Sequence, residues 1–306
     1  VDARGRSIAL LDWFTSHQLD DVNVLFSLPQ FNRSIKKQQE SGDIASVYGT
    51  TAHPKYNQRL YEQETERWGY ERDRTFDLLK GYTLGDYVLT LSDFAIDTFR
   101  RYGVDESKLY NIGPIGVDLS VYKPSEPPKD EFIVLYVANT TALKGIGDLL
   151  EAWSQLDFDD ARLVLCGTIS EAVEKVHGHD IDTMENVERV GYVNEPKKYF
   201  KRASILVHPS LTEGCPKVVL EGMASSLPVV ITEHGPREIV DDAGFVVPIR
   251  NPDALADRIQ YLYNHPKEVQ QMGSQGREIA ETMTWEAFGD RVADAHADIL
   301  NREGYR

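Results

Sequence analysis

The sequence has little cysteine, two residues in 306. Cys166 and Cys215 cannot build a disulfide framework, which excludes the small stapled secreted folds and fits a reducing compartment. Long apolar runs are missing too, and none approaches the ~18 residues of a membrane-spanning helix. Positive charge is scarce: 33 Lys and Arg stand against 49 Asp and Glu, for a formal net charge of −16. That field repels polyanions, so nucleic acid is not an expected partner. Nothing like a signal peptide leads the chain, and a cytoplasmic location is expected. A peripheral membrane contact is left open, since it depends on surface geometry. The sequence starts at Val1 rather than Met, with no strand-plus-glycine turn. From this an N-terminal piece of about 80–100 residues is expected to be missing.

What is present is a globular balance, 41% hydrophobic and 27% charged, with room for two domains. Short apolar runs alternate with segments of helical period. Strands are expected at 22–28, 45–49, 87–91, 132–138, 162–166, 204–208, 228–232 and 245–248. Helices are expected at 54–70, 93–102, 145–156, 170–177, 195–202, 216–226, 252–264, 266–282 and 285–300. Unbroken Val, Ile and Leu runs indicate strands buried on both faces, as in parallel sheets. The stretch from Lys123 to Asp130 holds three prolines and reads as a linker. The expectation is an N-terminal α/β domain over 1–124 and a second over 125–284, with a C-terminal helix in 285–306 packing back toward the first. Two doubly wound units facing across a cleft would bind a ligand there.

The most informative segment runs from His208 to Glu221, HPSLTEGCPKVVLE. A buried strand ends, a polar turn follows, and Pro216 suits the first position of a helix. Gly214 lets a ligand approach the backbone, and amides at a helix start suit a phosphate. Glu213 precedes that helix, and Glu221 lies within it. The same residues also read as an ordinary helix entry with a solvated glutamate. Lys144 follows the strand at 132–138, where an ammonium can neutralise a leaving diphosphate; alone, it also reads as a solvated lysine at a helix start. Gly145-Ile-Gly147 lacks the third glycine of a dinucleotide loop, because Leu150 stands there. His177, Asp180 and Asp182 fall in a polar stretch read as a solvated loop rather than a metal site.

Taken together, Lys144-Gly145, Leu150-Glu-Ala-Trp153, Pro209-Ser210, Glu213-Gly214, Glu221-Gly-Met-Ala224 and Pro228-Val-Val-Ile231 resemble glycosyltransferase family 4. These are retaining enzymes of the GT-B fold, with two Rossmann-like domains. Gly116-Val-Asp118, Gly191-Tyr-Val193, Ala243-Gly-Phe-Val-Val247 and Thr284-Trp285 extend the match, which covers roughly residues 40–300. The resemblance implies a donor that is a UDP-, GDP- or ADP-sugar, a glycan, lipid or small-molecule acceptor, and neither cofactor nor metal. Glu213 would contact the donor sugar, Glu221 the ribose hydroxyls, and Lys144 the departing diphosphate. Backbone around Gly214, Cys215, Lys217 and Val218 would complete the phosphate cradle. His53, before Pro54, resembles a His-Pro stretch of one branch and would project into the cleft, although a surface turn also explains it. Many relatives carry an arginine shortly after a glycine at the end of the strand preceding the lysine. Here Ala138-Asn139 occupies that stretch, so Asn139 borders the donor without a guanidinium. A binding protein that no longer transfers sugar is the alternative, followed by an epimerase or phosphorylase of similar architecture.

Overall fold

The computed structural model describes residues 24–71, 79–125 and 130–305. Positions 22 and 23 of the first expected strand, and 126–129 of the proline-rich linker, lie outside them. The described residues form two compact units. The first holds 24–58, 79–113 and 289–305, and the second 59–71, 114–125 and 130–288.

The first unit is built from β1 (Val24–Ser27), α1 (Asn32–Glu40), β2 (Ile44–Gly49), the start of α2 (Pro54–Trp68), α3 (Leu79–Leu84), β3 (Tyr87–Thr90), α4 (Asp93–Arg101) and β4 (Leu109–Asn111). Its strands pair in chain order, β1-β2-β3-β4, all parallel. Leu25, Ile35, Val47, Tyr82, Val88 and Phe99 form its core. Ser92 caps α4 by accepting the Ala95 N–H at 3.3 Å, as a serine ahead of a helix does.

The second unit contains β5 (Phe132–Val137), α5 (Ile146–Ser154), β6 (Ala161–Cys166), α6 (Glu171–Thr183), β7 (Val187–Gly191), α7 (Lys197–Phe200), β8 (Ile205–His208), α8 (Lys217–Ala224), β9 (Val229–Thr232), β10 (Gly244–Val247), α9 (Pro252–Asn264), α10 (Pro266–Thr282) and the first residues of α11 (Trp285–Arg302). The sheet order is β10-β9-β8-β5-β6-β7, all parallel. Ile133, Val134, Leu135, Ile205, Leu206 and Val207 are buried, so helices on both faces explain the unbroken apolar runs. The order reverses between β5 and β8, and that switch point organises the site.

Four elements had no counterpart in the expected set: α1, α3, β4 and β7. The sequence of α1, NRSIKKQQE, buries a single large apolar side chain, Ile35. In β7, VERVG, no residue is fully buried, so neither segment carries a strong apolar signal. The polar stretch around His177 is helical rather than a loop, because α6 continues to Thr183. His177 is buried, hydrogen-bonded to the Tyr70 hydroxyl at 2.8 Å, and edge-on to Trp68. Thr284 caps α11 through the Ala287 N–H at 3.0 Å. From Gly289 onward α11 belongs to the first unit, where His296 bonds Ser46 at 2.7 Å and Asp298 bonds Tyr110 at 2.6 Å. No helix among the described residues is long and apolar enough to cross a membrane.

Candidate active site

The segments leaving β5 and β8 are neighbours because those strands pair at the point of reversal. A short helical turn, Ala142–Lys144, follows β5 and ends at Gly145, whose φ is 67°. A Cβ at Gly145 would lie 2.0 Å from the Pro209 carbonyl oxygen. Glycine is therefore required both by conformation and by contact with the β8 turn. The Leu211 N–H donates to the Leu143 carbonyl at 2.9 Å, and the Ser210 hydroxyl reaches the same oxygen at 3.1 Å. On the far side, the Glu213 N–H donates to the His234 carbonyl at 2.9 Å. These bonds hold the turn rigidly against Lys144.

The outcome is a three-membered polar cluster. The Lys144 ammonium pairs with Glu213 Oε1, and His208 Nε2 lies 3.0 Å from the same oxygen. The Glu213 side chain is 12% exposed and that of Lys144 26%, so the pair is sheltered while the ammonium still reaches solvent. Burial alone would raise the Glu213 carboxyl. The Lys144 ammonium and the His208 contact outweigh it and hold the group well below the usual carboxylate range. An ionised carboxylate only accepts hydrogen bonds, so His208 carries its proton on Nε2.

Further on, α8 begins at Lys217 with Pro216 as its extended N-cap (ψ 121°), one position later than the start the sequence suggested. No side chain caps it. Gly214, Cys215 and Val218 are buried, whereas Lys217 is exposed with its ammonium 6.0 Å from the Trp285 ring. Glu221 is one turn into α8. Burial raises its carboxyl above the usual value, opposed by a hydrogen bond from the Tyr122 hydroxyl and by Lys217. Tyr122 is fixed in turn: its ring packs edge-on against Phe200, and Arg277 donates to its carbonyl at 3.1 Å and to that of Ala224 at 2.8 Å.

The remaining candidates are placed differently. Asn139 is exposed beyond β5, and its Oδ1 accepts the Thr168 hydroxyl at 3.0 Å. His53 belongs to the first unit and is buried, not at a surface turn. Its ring stacks on Tyr102 at 4.6 Å, and Nδ1 accepts the Lys55 N–H at 3.2 Å. Burial, then the nearby Lys55 charge, lowers its pKa to about 4. The second unit thus gathers Lys144, Glu213, Glu221 and the α8 start, while His53 sits in the other unit. Among the described residues no group of three or more His, Cys, Asp or Glu side chains converges on a metal position. A groove of about 390 Å³ in the first unit, lined by Gln39, Asp86, Lys108 and Glu303 among others, holds none of the candidates.

Sequence reasoning missed His208 and Tyr122. The signal for His208 was there: one polar residue ends an otherwise apolar buried strand, five positions before Glu213. Tyr122 follows Asp118 by four residues and gave no sign of its partner, because Glu221 is far away in sequence.

Comparison with known proteins bears on the same residues. The family described as Glycosyl transferases group 1 matches positions 121–279, just over half of the chain. The putative glycosyltransferase EpsD of Bacillus subtilis is 28% identical over 249 residues, 74% of this chain and 64% of that protein. Against the first curated relatives the chain spans only 44% to 64% of their length. Sucrose-phosphate synthase from Thermosynechococcus elongatus superposes with a TM-score of 0.78 at 20% identity, over 98% of this chain and 80% of that one. Anabaena HepE in complex with UDP-glucose gives 0.74 at 15% identity, over 97% and 84%. The shared architecture is GT-B, with two Rossmann-like parallel units.

Proposed function

Because this chain belongs to the glycosyl transferases group 1, we propose that it is a retaining, metal-independent hexosyltransferase of the family 4 type. It moves a sugar from a UDP-, GDP- or ADP-sugar to a glycan, lipid or small-molecule acceptor. One observation carries the reading: an ammonium, Lys144, and an ionised carboxylate, Glu213, are fixed together at the strand-order switch beside an uncapped helix start. The UDP-glucose bound by Anabaena HepE, a protein of the same fold, supports the donor class.

When the bond between the anomeric carbon and the phosphate oxygen breaks, negative charge collects on the diphosphate. Lys144 and the amides around Gly214, Cys215, Lys217 and Val218 meet that charge, and the dipole of α8 adds to them. The acceptor hydroxyl attacks from the face the phosphate leaves, and the departing phosphate oxygen takes its proton. Glu213 then accepts hydrogen bonds from donor-sugar hydroxyls rather than attacking carbon. Glu221 accepts from the ribose hydroxyls. His53, neutral at physiological pH with Nδ1 occupied, offers an Nε2–H to an oxygen of the donor sugar.

Lys144→Ala and Glu213→Ala, each purified and checked for folding, should lose sugar transfer. Wild-type turnover in either rejects the assignment. Asn139, where many relatives carry arginine, motivates a second reading: a protein that binds a nucleotide sugar without transferring it. Calorimetry alongside a donor-turnover assay separates the two, since binding with no turnover favours the second.

A further inference from the structure

We propose that His208 is the positioning residue for Glu213: it anchors the carboxylate to the sheet, so that Lys144 can turn to a diphosphate while Glu213 stays aimed at the donor sugar. The inference rests on the glycosyltransferase reading and adds a residue to it.

Both hydrogen-bond donors to Glu213 meet one atom. Oε1 receives the Lys144 ammonium and the His208 Nε2–H, the latter at 3.0 Å, and no described residue takes Oε2. That division fixes the plane of the carboxylate and leaves Oε2 as the acceptor for a ligand hydroxyl. The two anchors differ in firmness. Lys144 reaches Glu213 through four methylenes from a position 26% exposed, and its ammonium is the group a diphosphate attracts. His208 is the last residue of β8, 4% exposed, and its backbone pairs with Ile231 of the next strand. Its imidazole has only two torsions and no solvent around it.

His208 Nδ1 is also buried and has no hydrogen-bond partner among the described residues. A buried ring nitrogen without a partner costs free energy. The contact through Nε2 therefore retains the histidine at a position where β8 is otherwise Ile, Leu and Val. Any apolar residue would fill the space at less cost. Only a group donating toward Glu213 accounts for a histidine there.

With a diphosphate bound, the Lys144 ammonium divides its three N–H donors between phosphate and Glu213. Losing His208 would then leave the carboxylate on a mobile partner, free to follow the ammonium toward the phosphate. Binding of the nucleotide should survive this, whereas alignment of the sugar should not.

The test uses the full chain and whichever of UDP-, GDP- and ADP-glucose most raises the wild-type melting temperature. His208→Leu is expected to bind the matching nucleoside diphosphate within about twofold of wild type, while kcat for donor turnover falls about tenfold to hundredfold, the size of one hydrogen bond to a charged group. His208→Gln, whose amide N–H can reach the same oxygen, should recover to within about fivefold of wild type. Turnover in His208→Leu equal to wild type overturns the proposal. So does a parallel loss of nucleoside diphosphate affinity, which marks a merely structural role. If none of the three sugars stabilises wild type, the glycosyltransferase reading fails, and the pair is tested alone by NMR of the histidine nitrogens. Wild type should then hold His208 in the Nε2–H form with a hydrogen-bonded proton that Glu213→Ala removes; an unchanged spectrum overturns the anchor.

Discussion

Two carboxylate–cation pairs in the second unit differ in what surrounds them. At the switch point, Glu213 pairs with Lys144 and is held ionised by two donors. Away from it, Glu64 of α2 pairs with Arg250 at 2.6 Å and is 1% exposed, and here burial outweighs the arginine and raises the carboxyl. A carboxylate sealed from water and bonded only to protein holds segments together. The two cations are almost equally open, 26% and 27% exposed, so the difference lies in the carboxylate, 12% exposed at Glu213 against 1% at Glu64. It lies also in the uncapped helix start beside Glu213, where the pair can exchange a partner for a ligand. The same contrast divides stability from activity.

The largest effect is expected for the pair with the sealed carboxylate. Arg250→Ala strands a buried carboxylate, which should cost about 3–5 kcal/mol, read as a drop in melting temperature with substrate affinity little changed. An unaltered melting temperature would break the comparison. Lys144→Ala should act the other way, with kcat falling about 10²- to 10³-fold. Its melting temperature should fall less than that of Arg250→Ala, because His208 still holds Glu213 and the site admits water.

The pH dependence sharpens the contrast between Glu213 and Glu221. The lowered Glu213 carboxyl stabilises the fold above its unfolded value, and that contribution is lost as pH falls through its folded value. The gap between wild type and Glu213→Gln should thus close on acidification below about 4.5. Glu221 has the opposite sign: its raised carboxyl makes the folded state less stable as pH climbs from its unfolded value through its folded one. Glu221→Gln should therefore gain on wild type as pH rises above about 4.5 without nucleotide. Melting curves across that range read both slopes, and parallel slopes would contradict the assignment. Smallest of all, Tyr122→Phe removes one hydrogen bond to Glu221, about 1 kcal/mol. Nucleoside diphosphate affinity should drop roughly fivefold with kcat preserved, and calorimetry beside steady-state kinetics detects it.

How much of this was legible depended on where each residue's partners lie in sequence. The strands β5, β6, β8 and β9 are unbroken apolar runs, and their bounds in the fold differ from the expected ones by a residue or so. Lys144, Glu213 and Glu221 were found because they stand in an ordered motif next to those runs. The burial that sets their charge states could not be read, since it comes from packing across the sheet. His208 stood at a strand end, Tyr122 just ahead of the linker, and Glu64 inside the helix expected at 54–70, and none of the three showed its partner. Each owes its environment to residues between 5 and 186 positions away. In the first unit the expected strands were also found, but β4 is three residues long and half-buried, too short for a periodic signal. Among the described residues its strands keep chain order, and no switch point there gathers a comparable cluster.

The most direct test is the position of the β-phosphate in a crystal grown with the nucleoside diphosphate that best stabilises the protein. We predict that it lies within hydrogen-bond distance of both the Lys144 ammonium and the Val218 amide at the start of α8, with Glu213 still on His208. A diphosphate bound elsewhere, with Lys144 closed on Glu213 as in the free protein, would contradict the account.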